Sequence, residues 1–344
     1  MKLAPARGGR VTECVEETVT IRDGASLSAL RSSWDTLLQR TYNPDFFLTS
    51  TWMNAWCDHF RPSEVSLLTT GEGDELSGVL PLQILTRENR RVLTLLGDPE
   101  VMDYMDALAD RERADSILHL LWERALNDLR WDTVELRHVP SGSPLLSVTA
   151  EVLESRGHQV QIEHDEVDPV VALPDSWDAY LQTLSKKQRH EIRRKLRRAE
   201  IDGDCSWRTA RTPQDLDHDL PVFFRLHQAS ARDKAGFMDA GMRAFFSTLA
   251  VTFLERGELR LSVFRRDGID IAATMSFLWR DRLLLYNSGY DPEFAPFSPG
   301  IAAVAKTIQD AIRDGATVFD FLSGDEPYKY QFGASNKFTK RLVA

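Results

Sequence analysis

The sequence predicts an α/β (α+β) fold made of two tandem units, each a mixed, mostly antiparallel sheet flanked by helices. Three observations carry this. Each half of the 344-residue chain holds a strand–turn–strand pattern followed by strand, helix, strand and helix, in the same order. The turns hold glycines where hairpins need them. The apolar residues recur with the strand period in some stretches and the helix period in others. A shared order of elements at two places reads as a duplication. The alternative is a chance recurrence of ordinary α/β patterns.

The elements follow in order. Trp52 and Trp56 stand four residues apart, the spacing of one buried helical face. VSLLTTGEGDELSGVLPLQIL (65–85) reads as strand, turn and strand, with Gly71 and Gly73 marking the turn. VLTLLGD (92–98) is a short apolar strand that runs into a polar stretch. Residues 116–128 read as helix, 133–139 as strand, 141–144 as turn and 145–157 as helix. In the second half, LRLSVFRRDGIDIAATMSFLW (259–279) is a hairpin closed by Asp267-Gly268. LLLYNSGYD (283–291) is the next strand, followed by a loop. Residues 301–315 read as a helix ending on Gly315, 317–323 as strand and 326–333 as a short helix. The charged, proline-bearing run HDEVDPVVALPDSW (164–177) interrupts the pattern, so the units are placed at 1–168 and 169–344.

Composition bounds the function. Hydrophobic residues make up 42% and charged residues 27%, the balance of a globular chain with a large core. Cys14, Cys57 and Cys205 are far apart, which suits neither a disulfide framework nor a zinc site. The eight histidines show no metal spacing, so no metal is expected. No run of about 18 apolar residues suggests a membrane span. MKLAPARGGR leads into VTECVEETVT rather than an apolar signal core, and the expected location is the cytoplasm. The net charge of −10 disfavours diffuse nucleic-acid binding.

One segment opposes that charge. LSKKQRHEIRRKLRRAE (184–200) holds eight Lys and Arg against Glu191 and Glu200. Ser185 and Gln188 form a possible capping box, and Gln188, Ile192, Leu196 and Ala199 share one helical stripe. Three uses compete: a solvated face paired with acidic surface, a wall that draws an anionic ligand toward Arg189 and Arg193, or a nucleic-acid contact.

The second half holds most of the chemistry. Asn287, Ser288 and Gly289 are poor strand formers, and Gly in a strand marks a bulge or a close backbone approach. Ser298-Pro299-Gly300 opens a helix, where free amides and the dipole favour an anion. It is also an ordinary helix start. Asp320 sits between Phe319 and Phe321 and is either a general base or a structural carboxylate. Tyr328 and Tyr330 are proton donors or half-buried aromatics.

Four blocks give a resemblance: PDFFLTSTWMNAW (44–56), the basic helix, LYNSGYDPEFAPFSPG (285–300) and FDFLSGDEPYKYQFGAS (319–335). With them the chain resembles the tandem branch of the GNAT acyltransferases, which includes CelD-like bacterial acetyltransferases and, more distantly, the Fem peptidoglycan aminoacyl transferases. The resemblance implies acyl transfer from acetyl-CoA or another acyl-coenzyme A to a small-molecule amine. It places the acyl group along Tyr286, Asn287, Ser288 and Gly289. It places the pyrophosphate at Ser298, Pro299, Gly300, Ile301 and Ala302. The superfamily loop Arg/Gln-x-x-Gly-x-Gly/Ala is matched at Gly300-Ile301-Ala302 but begins here with Phe297. Lys329 with Phe332-Gly333 is similar to the Fem pattern Phe-Lys-x-x-Phe-Gly, with Tyr328 for the first Phe. That implies a charge-stabilising role for Lys329, against the alternative of an ion pair with Asp325 or Glu326. The Fem side of the resemblance leaves aminoacyl-tRNA as an alternative donor, and a non-catalytic protein with a degenerate fold as a further one. The first half precedes its helix with ALADRERAD (107–115), which suits no pyrophosphate, so it is read as degenerate.

Overall fold

A computed structural model describes residues 19–230 and 236–344. Cys14 and the N-terminal basic run lie outside the described residues. The first half contributes strands β1 (Thr20–Arg22), β2 (Val65–Glu72), β3 (Glu75–Arg87), β4 (Arg90–Leu95), β5 (Leu108–Ala109), β6 (Thr133–Pro140) and β7 (Gln161–Ala172). Its helices are α1 (Arg31–Arg40), α2 (Ser50–Phe60), α3 (Ala114–Asp128) and α4 (Pro144–Ser155). The second half begins with α5 (Trp177–Thr183), α6 (Lys186–Glu200), β8 (Cys205–Thr209), α7 (Pro213–Ser230) and α8 (Ala240–Glu255). It continues with β9 (Leu259–Arg266), β10 (Ile269–Trp279), β11 (Arg282–Tyr290), α9 (Pro299–Arg313), β12 (Val318–Asp320), α10 (Pro327–Gln331) and β13 (Ser335–Val343).

The strands form one sheet in the order β1-β2-β3-β4-β6-β13-β7-β12-β11-β10-β9-β8, with β5 pairing β3 off this path. The order is a palindrome of the two halves. β2–β3–β4 is antiparallel, as is β9–β10–β11, and each set is followed by one parallel pair, β4 with β6 and β11 with β12. The last strands are exchanged. β7 closes the first half in sequence but pairs antiparallel with β12, and β13 closes the second half but pairs antiparallel with β6. β7 and β13 then join each other along the seam. This matches the duplicated order read from the sequence.

Local expectations are mostly met. Both hairpins form, and the two strands after them run as β4 and β11. Two differ. The stretch 164–177, read as an interruption, contains the second part of β7 and the start of α5, so the placed division at 168 falls inside a strand. The stretch after β4, read as polar, is largely buried: Val101, Met102, Tyr104, Met105 and Asp106 are all nearly inaccessible.

The halves share an aromatic core. Trp52 and Trp56 are buried on α2 as their spacing predicts. Phe46 stacks on Phe277 of β10 at 4.8 Å, and Trp52 lies 5.7 Å from the Tyr286 ring of β11. Such pairs add roughly 0.5–1.5 kcal/mol each beyond the area they bury. They brace β11 from the first half.

Candidate active site

The site begins where β11 leaves β12. The parallel pairing covers only Arg282, Leu283 and Leu284 against Val318, Phe319 and Asp320. Beyond Leu284 the strands part, and among the described residues no strand pairs with β11 on that side at Leu285, Tyr286 and Asn287. On its other side β11 carries a bulge: Met275 pairs with Asn287 and Ser276 with Leu285, which leaves Tyr286 as the extra residue. The Tyr286 hydroxyl donates to the Val101 carbonyl at 3.0 Å, across the seam between halves.

Gly289 explains the polar end of this strand. A Cβ there would lie 2.3 Å from the backbone nitrogen of His227, so α7 packs its backbone directly on β11. His227 Nε2 and Asn287 Oδ1 lie 2.8 Å apart and tie the same two elements. Gly289 is therefore a packing position, while Tyr286, Asn287 and Ser288 line a cleft of about 430 Å³.

Helix α9 starts beside this strand. Gly300 faces the Tyr290 ring, 3.1 Å from where a Cβ would sit. Ser298 adopts a left-handed conformation (φ 57°) and its side chain does not cap the helix. Ala302 N–H donates to the Ser298 carbonyl, while the amides of Gly300 and Ile301 have no acceptor among the described residues. The first turn holds no acid. An anion is the partner these groups lack. Phe297, at the place of the superfamily's polar residue, is covered by the Arg266 guanidinium at 4.2 Å. Arg266 also donates to the carbonyls of Ala199 and Ile201, which fixes the end of α6 nearby.

In α6 the capping box forms as read, and Ile192 and Ala199 are buried. Arg189 donates to the Leu181 carbonyl at 3.1 Å, which ties it to α5 rather than to a cleft. Arg194 pairs with Glu191, and Lys195 bonds Gln331 of α10. Arg193 is exposed and has no partner among the described residues, as are Lys186, Lys187, Arg197 and Arg198. The α6 face bearing Glu200, which meets Lys306 of α9 at 2.6 Å, also bears Arg193 and Arg197.

Asp320 is completely buried. It accepts from the Tyr104 hydroxyl at 3.1 Å and from the Leu322 amide at 2.9 Å, and lies 3.5 Å from Arg282. Burial raises its carboxyl above the usual range although Arg282 pulls it down. It does not line the cleft. Lys329 does, but its ammonium donates to the carbonyls of Leu322, Ser323 and Gly324 and pairs with Glu326 at 2.9 Å. Of the two ion pairs weighed from sequence, the one with Glu326 forms. Tyr328 lines the cleft, and burial pushes its hydroxyl well above the ordinary range. Tyr330 donates to Asp325.

Several residues here escaped sequence reading. Asp45, Asp103 and Asp168 surround Asp320, and burial raises them to about 6, about 7 and about 8. Asp45 pairs with Arg282 at 3.1 Å, and Asp103 accepts from the Ser323 amide at 3.1 Å. Asp168 is fully buried and neither oxygen has a hydrogen-bond partner among the described residues. The one available signal was PEVMDYMDALAD (99–110), where single acids alternate with apolar residues. Elsewhere, His138, Asp165 and Glu166 come within 4.8 Å, but Asp165 is already paired with Arg137 at 2.8 Å.

Residues 186–330 match the family described as acetyltransferase (GNAT) domain. The fold superposes on FemX at a TM-score of 0.60, with 12% identity, over 91% of this chain and 95% of that one. It superposes on L-PGS from Bacillus licheniformis at 0.54, with 10% identity, over 90% of each chain. A tandem GNAT protein from the clavulanic acid biosynthesis pathway gives 0.50, with 11% identity, over 95% of this chain and 98% of that one. No curated protein sequence matches the chain. The tandem GNAT fold is thus shared across nearly the whole length.

Proposed function

We propose that this chain, a tandem protein with a GNAT acetyltransferase domain in its second half, is an N-acyltransferase that moves an acyl group from an acyl-coenzyme A to an amine. The observation that supports this most is the parting of β11 from β12 after Leu284, with the bulge at Tyr286 and the open amides of α9 at its borders. The residues fit the donor: Gly300 and Ile301 offer amides to a pyrophosphate, and β11 at residues 285–287, which β12 does not cover, borders the cleft where an acyl group would lie. Coenzyme A, when bound, supplies a thioester, an acyl carbon with a good leaving group. The chain's own groups do the rest. The opened backbone of β11 is placed to donate to the carbonyl oxygen as charge develops there. Tyr328 stays protonated at neutral pH and suits a proton donor to sulfur. Asp320, sealed away, holds Tyr104 and Arg282 in place rather than meeting the amine.

In this reading residues 169–344 bind the donor and residues 1–168 brace the site and face the acceptor. A coenzyme A donor places the reaction in the cytoplasm. No helix among the described residues is long and apolar enough to cross a membrane. Calorimetric titration with acetyl-CoA tests the proposal. Saturable binding is expected, and Gly300→Val, which forces a side chain against Tyr290 and over the helix start, weakens it at least roughly tenfold with an unchanged circular dichroism spectrum. Absence of binding at millimolar acetyl-CoA overturns it.

The five unpartnered cations of α6 favour one second reading, an aminoacyl-tRNA donor. It requires tRNA retention at low salt that falls steeply as salt rises. A chain that retains no tRNA in 50 mM salt removes it.

A further inference from the structure

We propose that the cleft beside the β11 bulge takes a cationic amine as acceptor, and that Asp103, delivered by the first half of the chain, grips its ammonium group and receives its proton. This rests on the acyl-transfer reading above and names the substrate class of that site.

The charge of the cleft supports it. Its lining acids are Glu100, Asp103 and Glu326. The one lysine among its described lining residues, Lys329, is committed to three carbonyls and to Glu326. The one histidine among them, His227, is engaged by Asn287. Among the described residues no cation pairs with Glu100 or Asp103. One Asp103 oxygen accepts from the Ser323 amide, and the other has no hydrogen-bond partner among the described residues. The walls are aromatic, with Phe237, Tyr286, Phe321 and Tyr328, and such faces attract cations. The shortage of positive charge continues below the cleft. Asp168 is buried with no hydrogen-bond partner for either oxygen among the described residues, close enough to Asp103 and Lys329 to couple with both. A ligand ammonium is the group that this arrangement lacks.

The placement of Asp103 is built in. The segment 98–107 leaves β4 and lies in the parting between β4 and β6, which pair only at Val92 and Leu93. There His138 Nδ1 meets the Met102 carbonyl at 3.0 Å and Met105 N–H donates to the His138 carbonyl at 2.9 Å. The gap that would hold a donor in the first half is filled by its own chain. That chain crosses the seam, where Tyr286 bonds Val101, Ser323 bonds Asp103 and Tyr104 bonds Asp320. Asp106 anchors its far end to Tyr42, Asn43 and Ser143. The segment is held at both ends with Asp103 aimed into the second half.

The chemistry balances. An alkylammonium binds with one N–H toward Asp103. That proton passes to the carboxylate and the nitrogen lone pair is freed. The lone pair forms the C–N bond as the thioester C–S bond breaks. A second nitrogen proton goes to the leaving sulfur, the third remains on the amide, and Asp103 releases its proton to water. Burial, with Asp320 and Asp45 adding to it against the Ser323 amide and Lys329, raises the Asp103 carboxyl to about 7. Glu100 and Glu326 share the cleft lining with it, while the Asp168 carboxyl beneath is itself raised to about 8 by burial, Asp320 and Asp103. The group is therefore matched to proton transfer near neutral pH.

The test uses the full chain with acetyl-CoA, follows thiol release, and measures amine binding separately by calorimetry. Putrescine and spermidine are compared with glutamate and glucosamine 6-phosphate. At least one polyamine is expected to exceed both anionic amines tenfold or more in kcat/KM. Asp103→Asn keeps the contact to Ser323, lowers kcat by about 10²–10⁴ and removes the rising limb near pH 7, with acetyl-CoA affinity unchanged. Anionic amines that match the polyamines overturn the inference, as does an Asp103→Asn enzyme with full rate and an unchanged pH limb. Should that variant not fold, exposed Glu100→Gln decides: weaker spermidine binding supports the inference, and unchanged binding overturns it. Acetyl-CoA binding without any polyamine binding or turnover removes the cationic acceptor and leaves the acyl-transfer reading. Asp103-dependent spermidine binding without acetyl-CoA binding removes the latter and keeps the former.

Discussion

Asp168 shows how much one residue can state about pH. Its carboxyl is raised to about 8 by burial first, then by Asp320 and Asp103. A carboxyl raised in the folded state binds a proton more tightly there than in the unfolded chain, whose value is near 3.9. The resulting stability is complete below pH 4 and is lost as pH rises through about 8. Asp103 and Asp45, raised to about 7 and about 6, add in the same direction at lower pH. The chain is therefore expected to lose thermal stability progressively from about pH 4 to about pH 8. Asp168→Asn removes one titrating group without removing volume, so its Tm should approach or exceed that of the parent as pH rises, with the gain largest near pH 9. Thermal melts at pH 5, 7 and 9 check this. A variant equally destabilised at all three would mean that Asp168 stays neutral throughout or bonds a group that asparagine cannot.

At the scale of elements, β11 and α7 are joined through the absence of a side chain. A Cβ at Gly289 would overlap backbone atoms of α7, which cannot rotate aside as a side chain can. Gly289→Ala is expected to cost about 1–3 kcal/mol, the usual range for overpacking, and to shift the bulge that carries Tyr286 and Asn287. Loss of Tm together with a fall in kcat is the expected result, and a variant with parental Tm contradicts the packing.

This element was half legible in the sequence. Asn287, Ser288 and Gly289 announced an irregular strand, the Asp267-Gly268 turn announced the hairpin before it, and Ser185 with Gln188 announced the start of α6. Each of these signals lies within a few residues of what it specifies. β7 and β13 were hidden for the opposite reason. Gln161–Ala172 is charged along its exposed part and contains Pro169, and its partner β13 lies more than 160 residues away, as in the bond from Glu166 N–H to Thr339. Asp103 was hidden likewise: its partner Ser323 is 220 residues distant. Local pattern fixes elements, whereas a site assembled across a seam is specified by pairings that no local window contains.

At the scale of the molecule, the strand exchange decides how the chain folds. Without β7 the second half leaves β12 unpaired on one side, and without β13 the first half leaves β6 so. The aromatic contacts of Phe46 and Trp52 with Phe277 and Tyr286 would also be exposed in separated halves. Bare strand edges and open aromatic faces favour aggregation over independent folding. The duplicated plan nevertheless makes two autonomous domains the natural first guess, so the two views predict different behaviour. Residues 1–172 and 173–344 expressed separately are expected to be insoluble or to lack a cooperative transition. Mixed during refolding, they should recover the parental spectrum, because β7 and β13 meet only in the complex. The intact chain should unfold in one transition, coincident for tryptophan fluorescence and circular dichroism. A cooperative melt of either half alone would show that the exchanged strands decorate two finished domains. Their absence would instead make the site's dependence on Asp103 and Tyr104 part of folding itself: the first half could not be lost without unmaking the wall against which the second half works.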